Sequence, residues 1–242
     1  MTLADNIARV QQQIADACRR AGRAPESVML MAVSKTHSAE AILEAAAAGI
    51  RLFGENRVQE FAGKRDALAA AGLFAGSDPA RFHCIGPLQS NKVNRATEIF
   101  DAVDTVDSLR LAQRLDQAAA AQDKTLAVHL EIKTSPEAAK HGIAPDSTDL
   151  AALLEQLPDM RHLRVCGLMT VPPFAANPEE ARPYFRRLRE LRNSLAAQYP
   201  RVSLKELSMG MSHDFPVAIE EGATVVRVGT AIFGARPPVA RG

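Results

Sequence analysis

A single lysine follows the first strongly apolar segment of the chain and has the setting of a reactive amine. Residues 28–34 are apolar apart from the final serine, and a run this short is typical of a buried strand. Lys35 comes next, and the alternation of side chains along a strand places it on the same face as Met31 and Val33. A lysine amine in apolar surroundings can lose its proton and attack a carbonyl carbon. Because a lysine at a strand end is more often solvated or ion-paired, this residue alone leaves both interpretations open.

Two glycine-containing segments follow the last two predicted strands and have the composition of a phosphate-binding site. In each segment a glycine permits close approach of the backbone, and serine or threonine supplies a hydroxyl group. The residues are Ser208, Gly210, Ser212, Gly229 and Thr230. Barrel proteins often bind phosphate at these two loops, through N–H groups at the start of a short extra helix. Turn formation would explain either segment alone, so the hypothesis depends on the pair.

An arginine interrupts the last apolar strand. Arg227 lies between two valines, where a charge is costly unless a carboxylate pairs with it or a ligand lies beside it. If Arg227 and Lys35 point into the same interior, the guanidinium charge favours the neutral form of the lysine amine. The sequence leaves the choice between a carboxylate partner and a ligand open.

A polar pair follows the second predicted strand. Glu55 and Asn56 come directly after a short apolar segment. They are placed either to orient a ligand or to cap the helix that follows. Both interpretations remain open at this point.

The histidines give weaker indications. His37 and His213 fall on loops expected at the same end of the fold and are candidate ligand contacts. His83 and His129 fall within predicted strands, where packing is the expected role. Among the His, Cys, Asp and Glu residues, no spacing predicts a metal site.

These residues are positioned by an alternation of predicted strands and helices. A leading helix is expected over residues 1–22, because apolar residues recur there at intervals of three and four. Eight strand-like segments follow, each succeeded by a helical pattern, at residues 28–34, 51–54, 81–85, 102–106, 126–132, 165–169, 204–208 and 225–228. Such alternation predicts an α/β fold with a parallel sheet. Eight units favour one closed (β/α)8 TIM-type barrel over residues 28–236, within a single domain of residues 1–242.

An open doubly wound sheet is the alternative fold, but the glycine-rich dinucleotide fingerprint is missing after the first strand. The length of 242 residues is close to the roughly 250 residues typical of a (β/α)8 barrel.

The net charge of +1 gives no field to hold a polyanion, so nucleic acid is not expected as a partner. A basic cluster near residue 187 is interpreted as a solvated helix face.

The composition also bears on location. The three cysteines are widely spaced with no CxxC pair, which predicts neither zinc nor disulfides and suits the cytoplasm. No apolar run approaches the roughly 20 residues needed to span a bilayer, and the first 20 residues do not read as a signal peptide.

Seven motifs of the chain closely resemble the pyridoxal phosphate homeostasis protein family. They are Ala-Val-Ser-Lys-Thr at 32–36, Phe-Gly-Glu-Asn at 53–56, Ile-Gly-Pro-Leu-Gln-Ser-Asn-Lys at 85–92, Thr-Val-Asp-Ser at 105–108, Gly-Leu-Met at 167–169, Leu-Ser-Met-Gly-Met-Ser at 207–212 and Val-Arg-Val-Gly-Thr-Ala-Ile-Phe-Gly at 226–234. Together they cover nearly the whole chain, and as a set they are highly specific.

The resemblance implies a barrel similar to the N-terminal domain of alanine racemases, with pyridoxal 5'-phosphate held as a Schiff base on Lys35. It also implies that Arg227 lies near the pyridine nitrogen and Asn56 near the ring. The residues expected around the phosphate are Ser208, Gly210, Ser212, Gly229 and Thr230. An arginine beside the ring nitrogen disfavours its protonation and weakens the ring as an electron sink.

The leading functional hypothesis is therefore a carrier that holds the cofactor within intracellular pyridoxal phosphate homeostasis, without committed catalysis. The alternative is a small amino-acid racemase, which needs an acid or base on each face of the cofactor. Alanine racemases that resemble this barrel take the second group, a tyrosine, from a separate domain, whereas Tyr184 and Tyr199 fall on a predicted outer helix. An aldolase without a cofactor is a third class, which the arginine and the two phosphate loops disfavour.

Two positions depart from the family pattern. His213-Asp214 stand where two acidic residues are usual, and Lys133 stands where asparagine is common. Neither departure touches the lysine or the phosphate motif, so only a role in partner contact is put in question.

Delivery of the cofactor to pyridoxal phosphate-dependent apo-enzymes is a hypothesis, and a monomer is expected.

Overall fold

Parallel strands form the centre of the protein. The computed structural model describes residues 2–135 and 141–235. Within them eight strands pair in chain order and close into a barrel, as the sequence predicts. The strands are β1 (Met29–Val33), β2 (Leu52–Glu55), β3 (Arg81–Cys84), β4 (Ala102–Val106), β5 (Leu126–Glu131), β6 (Leu163–Met169), β7 (Glu206–Met211) and β8 (Val225–Val228). The expected α/β fold class, a (β/α)8 barrel, is thereby confirmed.

Helices surround the barrel. They are α1 (Leu3–Arg20), α2 (Ala39–Ala47), α3 (Val58–Ala70), α4 (Val93–Ile99), α5 (Leu109–Ala120), α6 (Thr148–Gln156), α7 (Arg182–Gln198), α8 (Phe215–Glu220) and α9 (Thr230–Phe233). The predicted leading helix corresponds to α1, which begins at a capping box formed by Thr2 and Asp5. Its apolar stripe packs against α8 and α9. Asn6 also donates a hydrogen bond of 2.9 Å to the carbonyl of Ile232, so α1 supports the segment that follows β8.

The main apolar core lies between the strands and the helices. Phe53 on β2 and Phe82 on β3 stack with ring centroids 5.0 Å apart, and Phe61 on α3 stacks on Phe82 at 4.5 Å. All three side chains are fully buried, and burial of each contributes about 1.5–3 kcal/mol. These stacked rings hold α3 against β3 and, through β3, against β2.

The barrel interior is a second layer with a different composition. Met31, Leu52 and Val225 form an apolar cluster there. Residues of the neighbouring strands that point inward include charged side chains such as Asp104 and Arg227, both buried. Because parallel strands alternate their side chains between the two layers, Met31 and Val33 fall on the interior side, which agrees with the expected face of Lys35.

β7 differs most from the sequence prediction. The expected strand ended at residue 208, but the observed strand runs to Met211. Ser208 pairs with Val225 and Met211 pairs with Arg227, so β7 carries one extra residue, a bulge. Gly210 allows it, since its φ is 91° and a Cβ there would lie 2.6 Å from the Cβ of Ala218. The bulge changes the alternation of side chains beyond Ser208.

Two prolines mark the start of α7. A 3-10 turn over Pro178–Ala181 precedes α7, and Pro183 occupies its first turn, where proline is tolerated. The prediction that the basic cluster near residue 187 is only a solvated helix face is wrong for three of its arginines. Arg182, Arg186 and Arg189 bind the carboxylate of Glu221 and join α7 to the end of α8.

Within the described ranges, no helix combines the length and apolarity needed to cross a membrane. The three cysteines, which lie in that part of the chain, are buried free thiols. Within residues 2–135 and 141–235, no group of three or more His, Cys, Asp or Glu side chains is placed to hold a metal ion.

Candidate functional site

A cavity of about 760 Å³ opens at the end of the barrel where the strands terminate. This volume lies within the range of small-molecule sites, and the position is the one at which barrel enzymes place their active groups. Six of the eight residues predicted to bind the cofactor line it: Lys35, Asn56, Ser212, Arg227, Gly229 and Thr230, and the candidate ligand contact His213 lines it as well. The remaining two, Ser208 and Gly210, are not part of the lining. Apolar residues that the sequence analysis did not propose as cofactor-binding form much of the wall, among them Val33, Ile85, Val171 and Met211.

Lys35 lies on the turn after β1 and is half-buried. The next residue, Thr36, has a φ of 67°, which is unusual for a β-branched residue. The amide of His37 donates to the carbonyl of Ser34 at 3.1 Å and closes the turn. The imidazole of His37 stacks on Phe233, with ring centroids 4.8 Å apart. The turn that carries Lys35 is therefore tied to the segment after β8.

Glu55 and Asn56 have different roles. Glu55 is fully buried, accepts a hydrogen bond of 2.7 Å from the hydroxyl of Ser34, and binds the ammonium of Lys64 at 3.0 Å. Burial raises the pKa of Glu55 and outweighs the attraction of Lys64. Asn56 lines the cavity. Because α3 begins after Arg57 with no side-chain hydrogen bond at its cap, the helix-capping interpretation of the pair is wrong.

Arg227 is a buried cation at the cavity, with 4% of the residue exposed. Its Nη1 donates to the hydroxyl of Ser208 at 2.8 Å, and its Nη2 donates to the carbonyl of Thr170 at 2.9 Å. Both of these acceptors are neutral. Burial lowers the pKa of Arg227, and the attraction of carboxylates that include Asp104 and Glu131 opposes this change.

Ser208 is therefore placed differently from the sequence expectation. Its side chain is fully buried and holds Arg227 rather than lining the cavity. The β7 bulge explains the difference, since Ser208 lies before the extra residue and Ser212 lies after it. Gly210 likewise lies against α8, where its missing side chain makes room for Ala218. A direct contact of either residue with phosphate stays a prediction.

Ser212 joins the loops after β7 and β8. Its hydroxyl accepts hydrogen bonds from the backbone amides of Gly229 at 3.1 Å and Ala231 at 3.4 Å. A Cβ at Gly229 would lie 3.3 Å from the carbonyl oxygen of Val33, so the absence of a side chain keeps this corner open and its backbone accessible. Amide and hydroxyl groups thus converge where the sequence predicts a phosphate.

The departure at 213–214 has a structural role. The Nε2 of His213 donates to the carbonyl of Ala176 at 3.0 Å, and its ring contacts Phe174. Asp214 accepts from the amide of Met211 at 2.6 Å. His213 therefore holds the segment after β6 at the cavity wall. The other departure, Lys133, has its backbone amide bonded to the carbonyl of Ile143.

A buried ionic network lies inside the barrel. Asp104 binds the Nδ1 atoms of His83 and His129 at 3.1 and 3.0 Å, and the Nε2 of His129 binds Glu206 at 3.1 Å. Burial lowers the pKa of His129, but the attraction of Asp104 and the hydrogen bonds to both carboxylates raise it to about 9. The expectation that both histidines are packed agrees with this placement. Their carboxylate partners were missed, although the acidic residue within an apolar strand at Asp104 was a signal that a partner is required.

Comparison with known proteins identifies the family. A family model described as alanine racemase, N-terminal domain, matches residues 4–237. A pyridoxal phosphate homeostasis protein of Aquifex aeolicus is 42% identical over 236 residues, covering 98% of this chain and 99% of the relative. One of Pseudomonas aeruginosa is 46% identical over 235 residues, covering 97% and 96%. The chain belongs to the pyridoxal phosphate homeostasis protein family.

Solved structures agree with this membership. PipY of Synechococcus elongatus, in a structure with pyridoxal phosphate bound, is 41% identical with a TM-score of 0.84, covering 96% of this chain and 100% of PipY. An alanine racemase of Clostridium difficile is 15% identical with a TM-score of 0.68, and this chain spans 58% of it. The racemase likeness shows a shared fold, and the family assignment depends on the nearer relatives.

Proposed function

We propose that this protein binds pyridoxal 5'-phosphate in the cavity and serves intracellular pyridoxal phosphate homeostasis, holding the cofactor without committed catalysis. The observation that carries the proposal is one cavity that combines a strand-end lysine, a buried arginine and a loop pair rich in amide and hydroxyl groups. Relatives named pyridoxal phosphate homeostasis protein and the pyridoxal phosphate bound to PipY support it.

The residues present fit the chemical groups of this cofactor. A phosphate needs several N–H and O–H donors, and Ser212, Gly229 and Thr230 bring such groups to one corner of the cavity. The open corner at Gly229, which a Cβ would narrow against Val33, permits backbone approach. When bound, the cofactor supplies an aldehyde that condenses with a primary amine. Lys35 is the lysine that this cavity offers for the attachment.

The other residues act on the bound group through position and charge. Ser208 and Thr170 accept hydrogen bonds from Arg227, which hold its cation beside the cavity. A fixed cation disfavours a proton on a ring nitrogen beside it. Asn56 offers an amide to the ring from the second loop. We assign Ser208 and Gly210 to the support of Arg227 and of the β7 bulge.

The cavity gives little support to the racemase alternative. Racemization needs an acid or base on each face of the cofactor. Tyr184 lies on α7 and Tyr199 directly after it, and neither belongs to the cavity lining. Slow exchange of the α-proton of added L-alanine is therefore expected. Rapid racemization of L-alanine would instead favour the racemase hypothesis.

The attachment at Lys35 is tested by reducing the protein with borohydride in the presence of pyridoxal phosphate and mapping the labelled peptide by mass spectrometry. We expect label on Lys35 and a long-wavelength absorption band that Lys35→Ala removes. Lys205→Ala, at an exposed lysine, is the control and should leave both unchanged. Label confined to another lysine in the wild-type protein would refute the assignment.

We further propose that the protein is a cytoplasmic monomer that passes its cofactor to apo-enzymes. Buried free cysteines are compatible with a reducing compartment. Sedimentation velocity measures the oligomeric state, and recovery of activity by an added apo-enzyme measures transfer. Transfer no faster than from free cofactor at the same concentration would argue against delivery.

A further inference from the structure

A partly buried ammonium group lies behind the turn that carries Lys35. Lys64 on α3 has 12% of its side chain exposed. Its Nζ donates to the carbonyl of Ser34 at 3.2 Å, to Glu55 at 3.0 Å and to Glu60 at 2.8 Å. An ammonium group has three donors, so the three acceptors use its full capacity.

Each carboxylate of this cluster reaches back to a residue next to Lys35. Glu55 accepts from the hydroxyl of Ser34 at 2.7 Å. Glu60 accepts from the backbone amide of Thr36. The residues before and after the lysine are thus held by the same network, which is centred on Lys64.

The conformation of the turn explains why such support is needed. Thr36 has a φ of 67°, and the left-handed region is unfavourable for a β-branched residue. Without a fixed acceptor for its amide, the turn would relax toward commoner backbone angles. Because Lys35 is the neighbouring residue, that relaxation would change where its amine enters the cavity.

We propose that Lys64 is a positioning residue for covalent attachment at Lys35, acting through Glu55 and Glu60. The inference rests on the proposed function and goes beyond it by assigning a role to a side chain outside the cavity lining. Lys64 does not contact the phosphate corner formed by Ser212 and Gly229. Its loss should therefore weaken attachment of the aldehyde and leave recognition of the phosphate.

Two ligands separate these effects. Pyridoxal 5'-phosphate carries the aldehyde, whereas pyridoxine 5'-phosphate carries an alcohol in its place and binds without attachment. For Lys64→Met we expect at least a tenfold weaker Kd for the aldehyde form, slower borohydride labelling of Lys35, and less than a twofold change for the alcohol form. Glu60→Ala, on the partly exposed side of the cluster, should give the same pattern and tests the proposal if Lys64→Met does not fold.

Lys124→Met is the matched control. Lys124 is also partly buried, and it donates to the carbonyls of Thr97 and Phe100 on α4 and at its end. This variant should change neither ligand. An unchanged Kd for the aldehyde form in both test variants, or an equal loss of both ligands, would overturn the positioning role while leaving the proposed function intact. Label confined to a lysine other than Lys35 in the wild-type protein would refute the attachment site on which this inference rests, and a wild-type protein that binds no pyridoxal phosphate would overturn the proposed function itself.

Discussion

The buried His129 gives a prediction for the pH dependence of stability. His129 lies between Asp104 and Glu206, within 3.1 Å of both carboxylates. Burial disfavours its charged form, but attraction to Asp104 and the hydrogen bonds prevail and raise its pKa from 6.5 to about 9. The folded protein therefore keeps a proton on His129 at pH values at which the unfolded chain has released it.

The sign and the size of the effect follow from linkage. A raised histidine pKa contributes stability that is fully present below pH 6.5 and is lost as the pH rises toward 9. Each unit of pKa difference corresponds to about 1.4 kcal/mol, so the free energy of unfolding should fall by about 3 kcal/mol across this window. The expected slope is close to 1.4 kcal/mol per pH unit in its steepest part.

Urea unfolding at half-unit intervals between pH 6 and pH 9 measures this slope. In His129→Gln the side chain can still hydrogen-bond but carries no proton to lose, so the slope in this window should largely disappear. His162→Gln, at a partly exposed histidine, should retain the wild-type slope. A wild-type stability that stays flat or rises between pH 6.5 and pH 9 would refute the argument that His129 is held charged.

Two further predictions concern the support of the cavity. Ser208→Ala removes the acceptor of the Arg227 Nη1, and we expect the free energy of unfolding to fall by about 2 kcal/mol and cofactor binding to weaken. Urea unfolding and ligand titration measure both effects, Ser203→Ala at an exposed serine is the control, and wild-type stability in Ser208→Ala would contradict the reasoning. Gly210→Ala places a Cβ 2.6 Å from that of Ala218 at a φ of 91°, so we expect a loss of roughly 3 kcal/mol or more. The same substitution at Gly63, where a Cβ meets nothing within 4 Å, should be neutral or stabilising by about 0.5–1 kcal/mol, and equal thermal midpoints for the two variants would show that the bulge tolerates a side chain.

The order of strands and helices was predictable because each unit carries its own local pattern. The bounds of β4 and β8 agree with the sequence prediction to the residue. β7 was cut short because Gly210 reads as the end of a strand, whereas it permits a bulge within one. Local composition does not distinguish these two uses of glycine, since the difference depends on the helix packed against it.

The cavity was predictable to the extent that its residues follow strand ends. Lys35 and Gly229 were found in this way. The supporting networks were not found, because their members are far apart along the chain and become neighbours only in the fold. Lys64 lies on α3, the second helix after Ser34, and donates to the carbonyl of Ser34. No pattern within α3 distinguishes this lysine from a solvated one.

The closure of the barrel has a consequence for synthesis of the protein. The last strand, β8, pairs with the first, so that Met29 lies beside Val225. Lys35 follows the strand on one side of this junction, and Arg227 and Gly229 belong to the other side. An incomplete chain still emerging from the ribosome has the lysine but not its counterparts. The cavity therefore cannot be complete until β8 has been synthesised and has paired with β1.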